Sequence, residues 1–266
     1  GANALLFAAY SLLDGFAQGD AIDGHLGASS GTNWIWGDVP SDDMYRGDQT
    51  GGWAEVNNIE RYEVTSDNQW LNQAWVRNFD AVARTNDVIR TLRAAGDKIN
   101  ADAARQIEAE ARFLRAWYHF QSRIKFEKVP YITEDVDPLT VSNDKEIWDD
   151  IEADIKWGID NNMEEAPREI ARASRWAAKA FLARVHLFQQ EYPAAKTYLD
   201  DIINNGPFEL MEHFYDNHNE EFQNNKESIF EIQYSVNDGA GVANSGLDHQ
   251  TLFSRKIGFC CDYSAP

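Results

Sequence analysis

Basic residues are scarce in this sequence. Its 266 residues contain 24 Lys and Arg against 44 Asp and Glu, which gives a formal net charge of −20 at pH 7. A surplus of negative charge repels nucleic acid and anionic lipid surfaces. We therefore expect no nucleic-acid partner.

Cysteines and membrane-length apolar runs are also lacking. The two cysteines, Cys260 and Cys261, are neighbours, so they provide neither a disulfide framework nor the paired spacing of a zinc knuckle. The apolar run at residues 4–13 (ALLFAAYSLL) is too short to cross a membrane and has no basic segment before it. This run predicts a first amphipathic helix.

Motifs for catalysis or cofactor binding are missing as well. The sequence has no phosphate-binding G-x-x-x-x-G-K-[ST], and His213 and His218 are five residues apart, outside the four-residue register of metal ligands on a helix. Residues 27–31 fit G-x-S-x-G, but polar residues precede them where a buried strand is required. Acidic pairs such as Asp149 and Asp150 are expected to be solvated. We predict a protein that is not an enzyme, with no cofactor and no metal site.

A repeated apolar pattern is the most informative feature of the chain. The helical pattern of residues 108–120 returns in residues 176–188. Three matched pairs carry the repeat: Phe113 with Phe181, Leu114 with Leu182, and Phe120 with Phe188. The offset is twice the period of the tetratricopeptide repeat, which is about 34 residues and in which helical pairs stack to bury their apolar faces.

The stretch from Trp176 to Pro207 predicts one complete unit of helix, turn and helix. Ala183 and Ala195 supply the small residues that are needed where two helices cross closely. Gly206 and Pro207 end the second helix, because glycine tolerates a left-handed cap and proline cannot continue a helix.

Further helices are predicted at about residues 69–95, 101–126 and 144–161. We therefore predict a mainly α fold, with tetratricopeptide-like helical pairs that form a right-handed superhelical scaffold, long loops and minor β structure. One domain is expected over residues 1–266. Its predicted parts are helical repeats at about 69–205, a loop-rich segment at 15–58, and the start of a loop- and strand-rich part at 225–266.

A strand is predicted near the end of the chain. Phe230, Ile232, Tyr234 and Val236 alternate with polar residues, which is the period of a half-buried strand. The sequence after Tyr234 provides no partner strand, and a complete domain normally covers such an edge. We therefore expect the sequence to be the first part of a longer protein.

The loop-rich segment contains the candidate ligand site. Sugars stack their apolar faces on aromatic rings, while carboxylates, amides and arginines bond the hydroxyl groups, and the loop offers this mixture. The candidate glycan-binding residues are Trp34, Trp36, Asp42, Asp43, Tyr45, Arg46, Trp53 and Asn58.

Other roles are open for these residues. The three tryptophans of the loop are also suited to hold it against the helices, and Arg46 is placed to pair with Asp42 or Asp43. Four more tryptophans sit at helical spacing and are predicted to pack in the core or between helices: Trp117, Trp148, Trp157 and Trp176.

Several short motifs resemble the SusD/RagB family. They are Glu110–Tyr118 (EARFLRAWY) with Phe126 and Val129-Pro130, then Ala177–Phe188, and finally Glu227–Gln233 (ESIFEIQ). Family members are surface glycan-binding lipoproteins of the Bacteroidetes outer membrane, and the resemblance corresponds to the N-terminal half of a typical member.

The resemblance implies a function and a location. It implies that the protein binds a poly- or oligosaccharide at the cell surface, without cleaving it, and delivers it to a SusC-like TonB-dependent transporter. It also implies a surface-exposed, lipid-anchored protein of the outer membrane, although the lipidated cysteine is not in this sequence. Two alternatives remain: a tetratricopeptide-type scaffold for protein interaction with no glycan ligand, and a carbohydrate-active enzyme.

Overall fold

The computed structural model describes residues 1–13, 35–41, 45–46, 54–233 and 263–264. Within these ranges the chain is mainly helical, as predicted. The helices are α1 (Ala2–Tyr10), α2 (Ala54–Glu60), α3 (Gln69–Ala95), α4 (Ala101–Phe126), α5 (Trp148–Asp160), α6 (Arg175–Phe188) and α7 (Tyr192–Asn205), and the strands are β1 (Tyr45–Arg46) and β2 (Tyr263–Ser264). No helix in the described ranges is long and apolar enough to span a membrane.

Helix α4 has well-defined ends. The side chain of Asn100 accepts hydrogen bonds from the backbone N–H groups of Asp102 (3.0 Å) and Ala103 (3.1 Å), which caps the first turn. At the other end Glu127 adopts a backbone conformation with φ of 62°, and its N–H bonds the carbonyl of Arg123. The bounds of α3 and α4 agree with the prediction, whereas α5 begins at Trp148, later than predicted.

The chain divides into two compact units. The first consists of Gly1–Tyr10 and Ala81–Ile232, and the second of Ser11–Asp80 and Gln233–Pro266. In the second unit β1 and β2 pair antiparallel, with Tyr45 opposite Ser264. In the same unit, Asn68 caps α3 by accepting hydrogen bonds from the N–H groups of Trp70 and Leu71.

The first unit is a stack of consecutive helices. Helix α4 packs against α5, α5 against α6, and α6 against α7, while α1 packs against α4. Residues matched by the sequence repeat contact each other: the rings of Phe113 and Phe181 lie 5.6 Å apart, and those of Phe120 and Phe188 lie 5.0 Å apart. The predicted helical-repeat fold is therefore confirmed.

The relation between the repeat period and the helices needs one correction. One period leads from Phe79 in α3 to Phe113 in α4, so a single period advances the chain by one helix and not by one pair. The double period accordingly separates consecutive pairs, α4–α5 and α6–α7. Residues 127–147, between α4 and α5, lengthen the first pair beyond the ordinary repeat.

Two local predictions were wrong. Gly206 ends α7 in an extended conformation, with φ of −74°, and it is needed because a Cβ atom there would lie 2.4 Å from the carbonyl oxygen of Ile202. Residues 230–233 do not form the predicted strand, although the ring of Phe230 does pack on Phe113, at 5.6 Å. Tyr234 and Val236 lie outside the described residues.

The four helical tryptophans have packing roles, as predicted. A cation lies over each ring, at 4.3 to 5.9 Å from the ring centroid: Arg112 over Trp157, Arg123 over Trp148, Lys179 over Trp176 and Arg184 over Trp117. Such cation–π contacts help to fix the orientation of the tryptophan rings.

Candidate functional site

The structure describes the side chains of two predicted glycan-binding residues. Trp36 lies partly buried in the segment 35–41, and Asn58 lies partly buried on α2. Tyr45 and Arg46 form β1 and are described by their backbone pairing alone. Trp34, Asp42, Asp43 and Trp53 lie outside the described residues, as does the G-x-S-x-G run at 27–31. The predicted loop site stays a prediction.

A groove in the first unit has the composition expected of a sugar site. We call it the Trp117 groove; it has a volume of about 430 Å³ and lies between α4, α6 and the segment 227–230. Its lining residues are Phe113, Trp117, Ala177, Ala180, Phe181, Arg184, Glu227, Ser228, Ile229 and Phe230. Apolar and aromatic walls with a few polar groups are typical of small-molecule sites.

Arg184 is the polar group best placed to meet a ligand in the Trp117 groove. It is exposed on α6, and its guanidinium lies 5.5 to 6.0 Å from the ring centroids of Trp117, Phe120 and Phe188. Because the side chain is exposed, its N–H donors can reach the hydroxyl groups of a ligand. Stacked over rings and open to solvent, it suits contact with a sugar.

Glu227 holds the outer wall of the groove in place. Its Oε2 accepts hydrogen bonds from the N–H of Met211 (2.8 Å) and from Nδ2 of Asn217 (2.9 Å). These two bonds lower the pKa of Glu227, the bond from Met211 being the stronger cause. The lowered pKa favours the ionised carboxylate, which links residue 227 to residues 211 and 217.

A second groove lies on the other side of the segment 228–231. It has a volume of about 350 Å³ and includes Trp176 and Phe208, whose rings meet edge to face at 6.4 Å. Arg172 also lines this groove, but its side chain is 4% exposed and is paired with Glu110 at 2.7 Å. The polar groups of the second groove are thus more engaged in the fold than Arg184 is.

A buried ionic cluster centred on Arg115 stiffens the scaffold that carries these grooves. The guanidinium donates to both oxygens of Asp154 at 2.6 Å, to Asn86 at 2.8 Å, and to Glu134. Burial by itself lowers the pKa of Arg115, but the hydrogen bonds and charge of Asp154 raise it above its ordinary value. Each charge in the cluster is compensated, so the cluster supports the fold and is not a ligand site.

His119 joins this cluster to the backbone. Its Nε2 accepts from the N–H of Ile132 at 3.0 Å, so Nδ1 carries the proton and donates to the carbonyl of Arg115 at 2.9 Å. Burial lowers the pKa of His119 to about 3. The ring is therefore neutral at physiological pH.

Sequence reasoning missed Arg184, Phe230 and the Arg115 cluster. Two signals pointed to them. Arg115 lies inside an otherwise apolar stripe, where its repeat counterpart is Ala183. The motif Glu227–Gln233 was identified by resemblance alone, without a location, and the structure places Glu227 and Phe230 on the wall of the Trp117 groove.

Comparisons with known proteins agree with this architecture. A family model described as "Starch-binding associating with outer membrane", the SusD-like family, matches residues 32–187, which is more than half of the chain. A SusD-like protein of Bacteroides ovatus is 26% identical over 192 residues, covering 65% of this chain and 34% of that protein.

Solved structures show the same fold. A laminarin-binding SusD-like protein has a TM-score of 0.76 at 21% identity, covering 93% of this chain and 54% of that one. Surface glycan-binding protein A of Bacteroides thetaiotaomicron, in complex with laminarihexaose, has a TM-score of 0.72 at 23% identity, covering 88% and 49%. The chain spans about a third of the matched curated relative and about half of these solved chains.

The family model and the fold support the same conclusion. The match reaches from the loop-rich segment through α6, and the stacked helices are those of the related structures. The chain belongs to the SusD-like family.

Proposed function

We propose that this protein binds a poly- or oligosaccharide at the outer surface of the cell without cleaving it. Membership of a family described as starch-binding and associated with the outer membrane carries this proposal. The laminarihexaose complex of the related surface glycan-binding protein supports an oligosaccharide as the ligand class. Delivery to a SusC-like TonB-dependent transporter, and attachment to the outer membrane through a lipid anchor, complete the proposal by family analogy.

The contacts are proposed at two places. The first is the loop with Trp34, Trp36, Asp42, Asp43, Tyr45, Arg46, Trp53 and Asn58. The second is the Trp117 groove, whose exposed Arg184 and aromatic wall suit a sugar ring. Capture in both places depends on ring stacking and hydroxyl bonds, which exchange with water and give modest affinity.

Affinity electrophoresis of the purified protein against laminarin, xyloglucan and starch tests this proposal. Retardation by at least one glycan is expected. A ring contact contributes about 0.5–1.5 kcal/mol, so losing one weakens binding by up to about tenfold. Trp34→Ala, Trp36→Ala and Trp53→Ala test the loop, and Arg184→Ala tests the groove. Arg105→Ala is the matched control, because Arg105 is also a solvent-accessible arginine of the scaffold but pairs with Asp102.

The possible outcomes distinguish an error in the proposed contact sites from an error in the proposed glycan-binding function. If wild-type protein binds and every variant binds equally well, glycan capture survives and both proposed contact sites are wrong. Absence of retardation by all three glycans contradicts the proposal, and reducing ends that appear with time would indicate an enzyme.

One observation favours the scaffold alternative. Helix α7 presents apolar side chains to solvent: Tyr192 is 61% exposed and Ile203 is 75% exposed. Exposed apolar patches are one mark of protein–protein interaction sites. The alternative therefore predicts that no glycan retards the protein.

A further inference from the structure

Three potential metal ligands converge where α5 meets the α6–α7 hairpin. They are Glu152 on α5, His186 near the end of α6, and Glu191 just before α7, and one ligand atom from each lies within 4.8 Å of the others. Nδ1 of His186 is 2.7 Å from an oxygen of Glu191 and 3.6 Å from an oxygen of Glu152. We propose that these three side chains bind a divalent transition-metal ion, with Zn²⁺ the best match.

The spacing of the ligand atoms suits a zinc ion. Zinc lies about 2.0–2.1 Å from nitrogen and oxygen ligands in a tetrahedral arrangement, which places the ligand atoms roughly 3.3 Å from one another. The two distances from His186 Nδ1, 2.7 and 3.6 Å, lie on either side of this value. The proposal requires the two glutamate side chains to rotate until their oxygens reach coordination distance.

The donor set points to the class of ion. One imidazole and two carboxylates match the mixed nitrogen and oxygen ligands of zinc. Calcium and magnesium prefer all-oxygen sites and higher coordination numbers. Three protein ligands leave a fourth tetrahedral position for water.

Burial gives the site a closed side and an entrance. The side chains of His186 and Glu152 are 6% and 11% exposed, whereas that of Glu191 is 49% exposed. The backbone N–H of Glu191 bonds the carbonyl of His186 at 2.9 Å, so the turn between α6 and α7 holds these two ligands together. An ion can enter past Glu191 without opening the helical stack.

Neighbouring side chains already hold the Glu152 carboxylate in place. Nε2 of Gln189 donates to Glu152 Oε1 at 2.7 Å, and Nζ of Lys156 donates to Oε2 at 2.5 Å. Carboxylates that ligate metals are commonly oriented by outer hydrogen bonds such as the one from Gln189. Oε1 keeps a second lone pair for the ion while Gln189 occupies the first.

Lys156 provides a way to distinguish metal binding from a purely structural role of the three side chains. Without metal, the Lys156 ammonium compensates the charge of the Glu152 carboxylate. A divalent ion would take over that role, so the Lys156 charge opposes metal binding. The lysine side chain is 40% exposed, which leaves it room to turn into solvent. Removing its charge should therefore strengthen metal binding, whereas removing a ligand should weaken it.

The alternative is a hydrogen-bonded link between helices with no affinity for metal. It explains the 2.7 Å contact of His186 with Glu191 equally well, but it differs in its predictions. A purely structural link predicts no saturable binding, and it predicts that Lys156→Gln does not strengthen any metal response.

Zinc titration of the chelator-treated protein tests the proposal, by calorimetry and by thermal unfolding with and without Zn²⁺. A Cys260→Ser/Cys261→Ser background removes the adjacent thiols, and His213→Gln/His218→Gln is the matched control for the exposed histidines. One saturable site is expected, with tighter binding in Lys156→Gln. Binding should weaken by more than about tenfold in Glu191→Gln, because loss of an outer-shell partner alone typically costs about 10–100-fold in metal affinity. Cobalt in place of zinc should give the visible absorption of a tetrahedral site.

The contrary results are equally specific. Absence of saturable binding overturns the proposal. So does binding that Glu191→Gln leaves unchanged, or binding that disappears in His213→Gln/His218→Gln. If Glu191→Gln lowers the melting temperature without metal, His186→Gln serves as a second ligand variant, compared by its zinc-induced shift and not by its absolute stability.

Discussion

Helices α4 and α6 share an apolar pattern but are held in the stack by different interactions. At the three matched pairs both have phenylalanine or leucine. Where α4 has the buried residues Glu110 and Arg115, α6 has Ala178 and Ala183 at the corresponding repeat positions. Helix α4 is fixed by ion pairs that reach α5 and the segment before α6. At these two positions α6 packs through small residues, and its own ion pairs, such as Lys179 with Asp201, lie elsewhere on the helix.

The difference shows how one repeat pattern supports two kinds of helix. Helix α4 contacts α1 as well as α5, and its polar side chains bond groups on several segments at once. Directional bonds specify such a multiple junction, because each donor has one geometry that satisfies it. Helix α6 packs closely against its neighbours, and alanine allows the close approach. The two helices therefore keep the same apolar side chains at the matched positions and differ in the polar or small side chains between those positions.

The largest expected effect comes from breaking the ionic junction of α4. Arg115→Met leaves Glu134 and Asp154 buried without their common partner, and loss of one partner of a buried pair destabilises by about 3–5 kcal/mol. Urea unfolding followed by circular dichroism measures this. Lys196→Met is the control, because its pair with Asp200 is exposed and contributes less than about 1 kcal/mol. Equal effects of the two changes would contradict the assigned role of Arg115.

A larger side chain at Ala183 tests whether α6 packs closely against its neighbours. Ala183 is fully buried, so Ala183→Leu forces neighbouring side chains apart and should destabilise by about 1–3 kcal/mol. Ala194→Leu on α7 is the control, since Ala194 is only partly buried. The same urea experiment measures both variants. A stability of Ala183→Leu equal to that of wild type would show that the helices of this pair are not closely packed at this position.

The smallest effect concerns pH. Burial lowers the pKa of His119 to about 3, below its ordinary value, so the unfolded chain binds more protons than the folded one between these values. The contribution of His119 to the free energy of unfolding is complete at neutral pH and is lost as the pH falls. From about pH 6 to about pH 5 stability should drop by up to roughly 1.4 kcal/mol from this group. Arg115 and Asp154 are the charged groups that face the ring.

The control for the pH prediction is another histidine. His119→Gln should flatten the pH dependence of urea unfolding over this interval, whereas His213→Gln, at an exposed position, should leave it unchanged. A wild-type slope that persists in His119→Gln would assign the pH dependence to other groups.

Periodicity predicted the helices well because apolar spacing directly reflects which face is buried. It predicted the bounds of α3 and α4, where the pattern is long and the caps are clear. It was wrong about a strand at residues 230–233, because an alternation over so few residues also occurs in an extended segment that has no paired strand. It was also wrong about Gly206, where a steric contact with Ile202, and not a left-handed φ, requires glycine.

The candidate sites were less predictable for a different reason. Arg184 and Glu227 are brought to one groove by the way residues 206–230 return across α6, and no period relates them. The ligand trio of Glu152, His186 and Glu191 combines three segments in the same way, so no local spacing predicts a metal site there. Tertiary contacts between distant residues determine both places, so neither could be found from local spacing.

The contact of Phe113 with Phe181 places a side chain against its own copy from the next helical pair. An edge-to-face arrangement accepts two identical rings, because one presents its rim and the other its face. At this contact the same side chain therefore serves both partners. A further helical pair could stack on the same ring position, although the small residues at positions such as Ala183 would still be required for close packing.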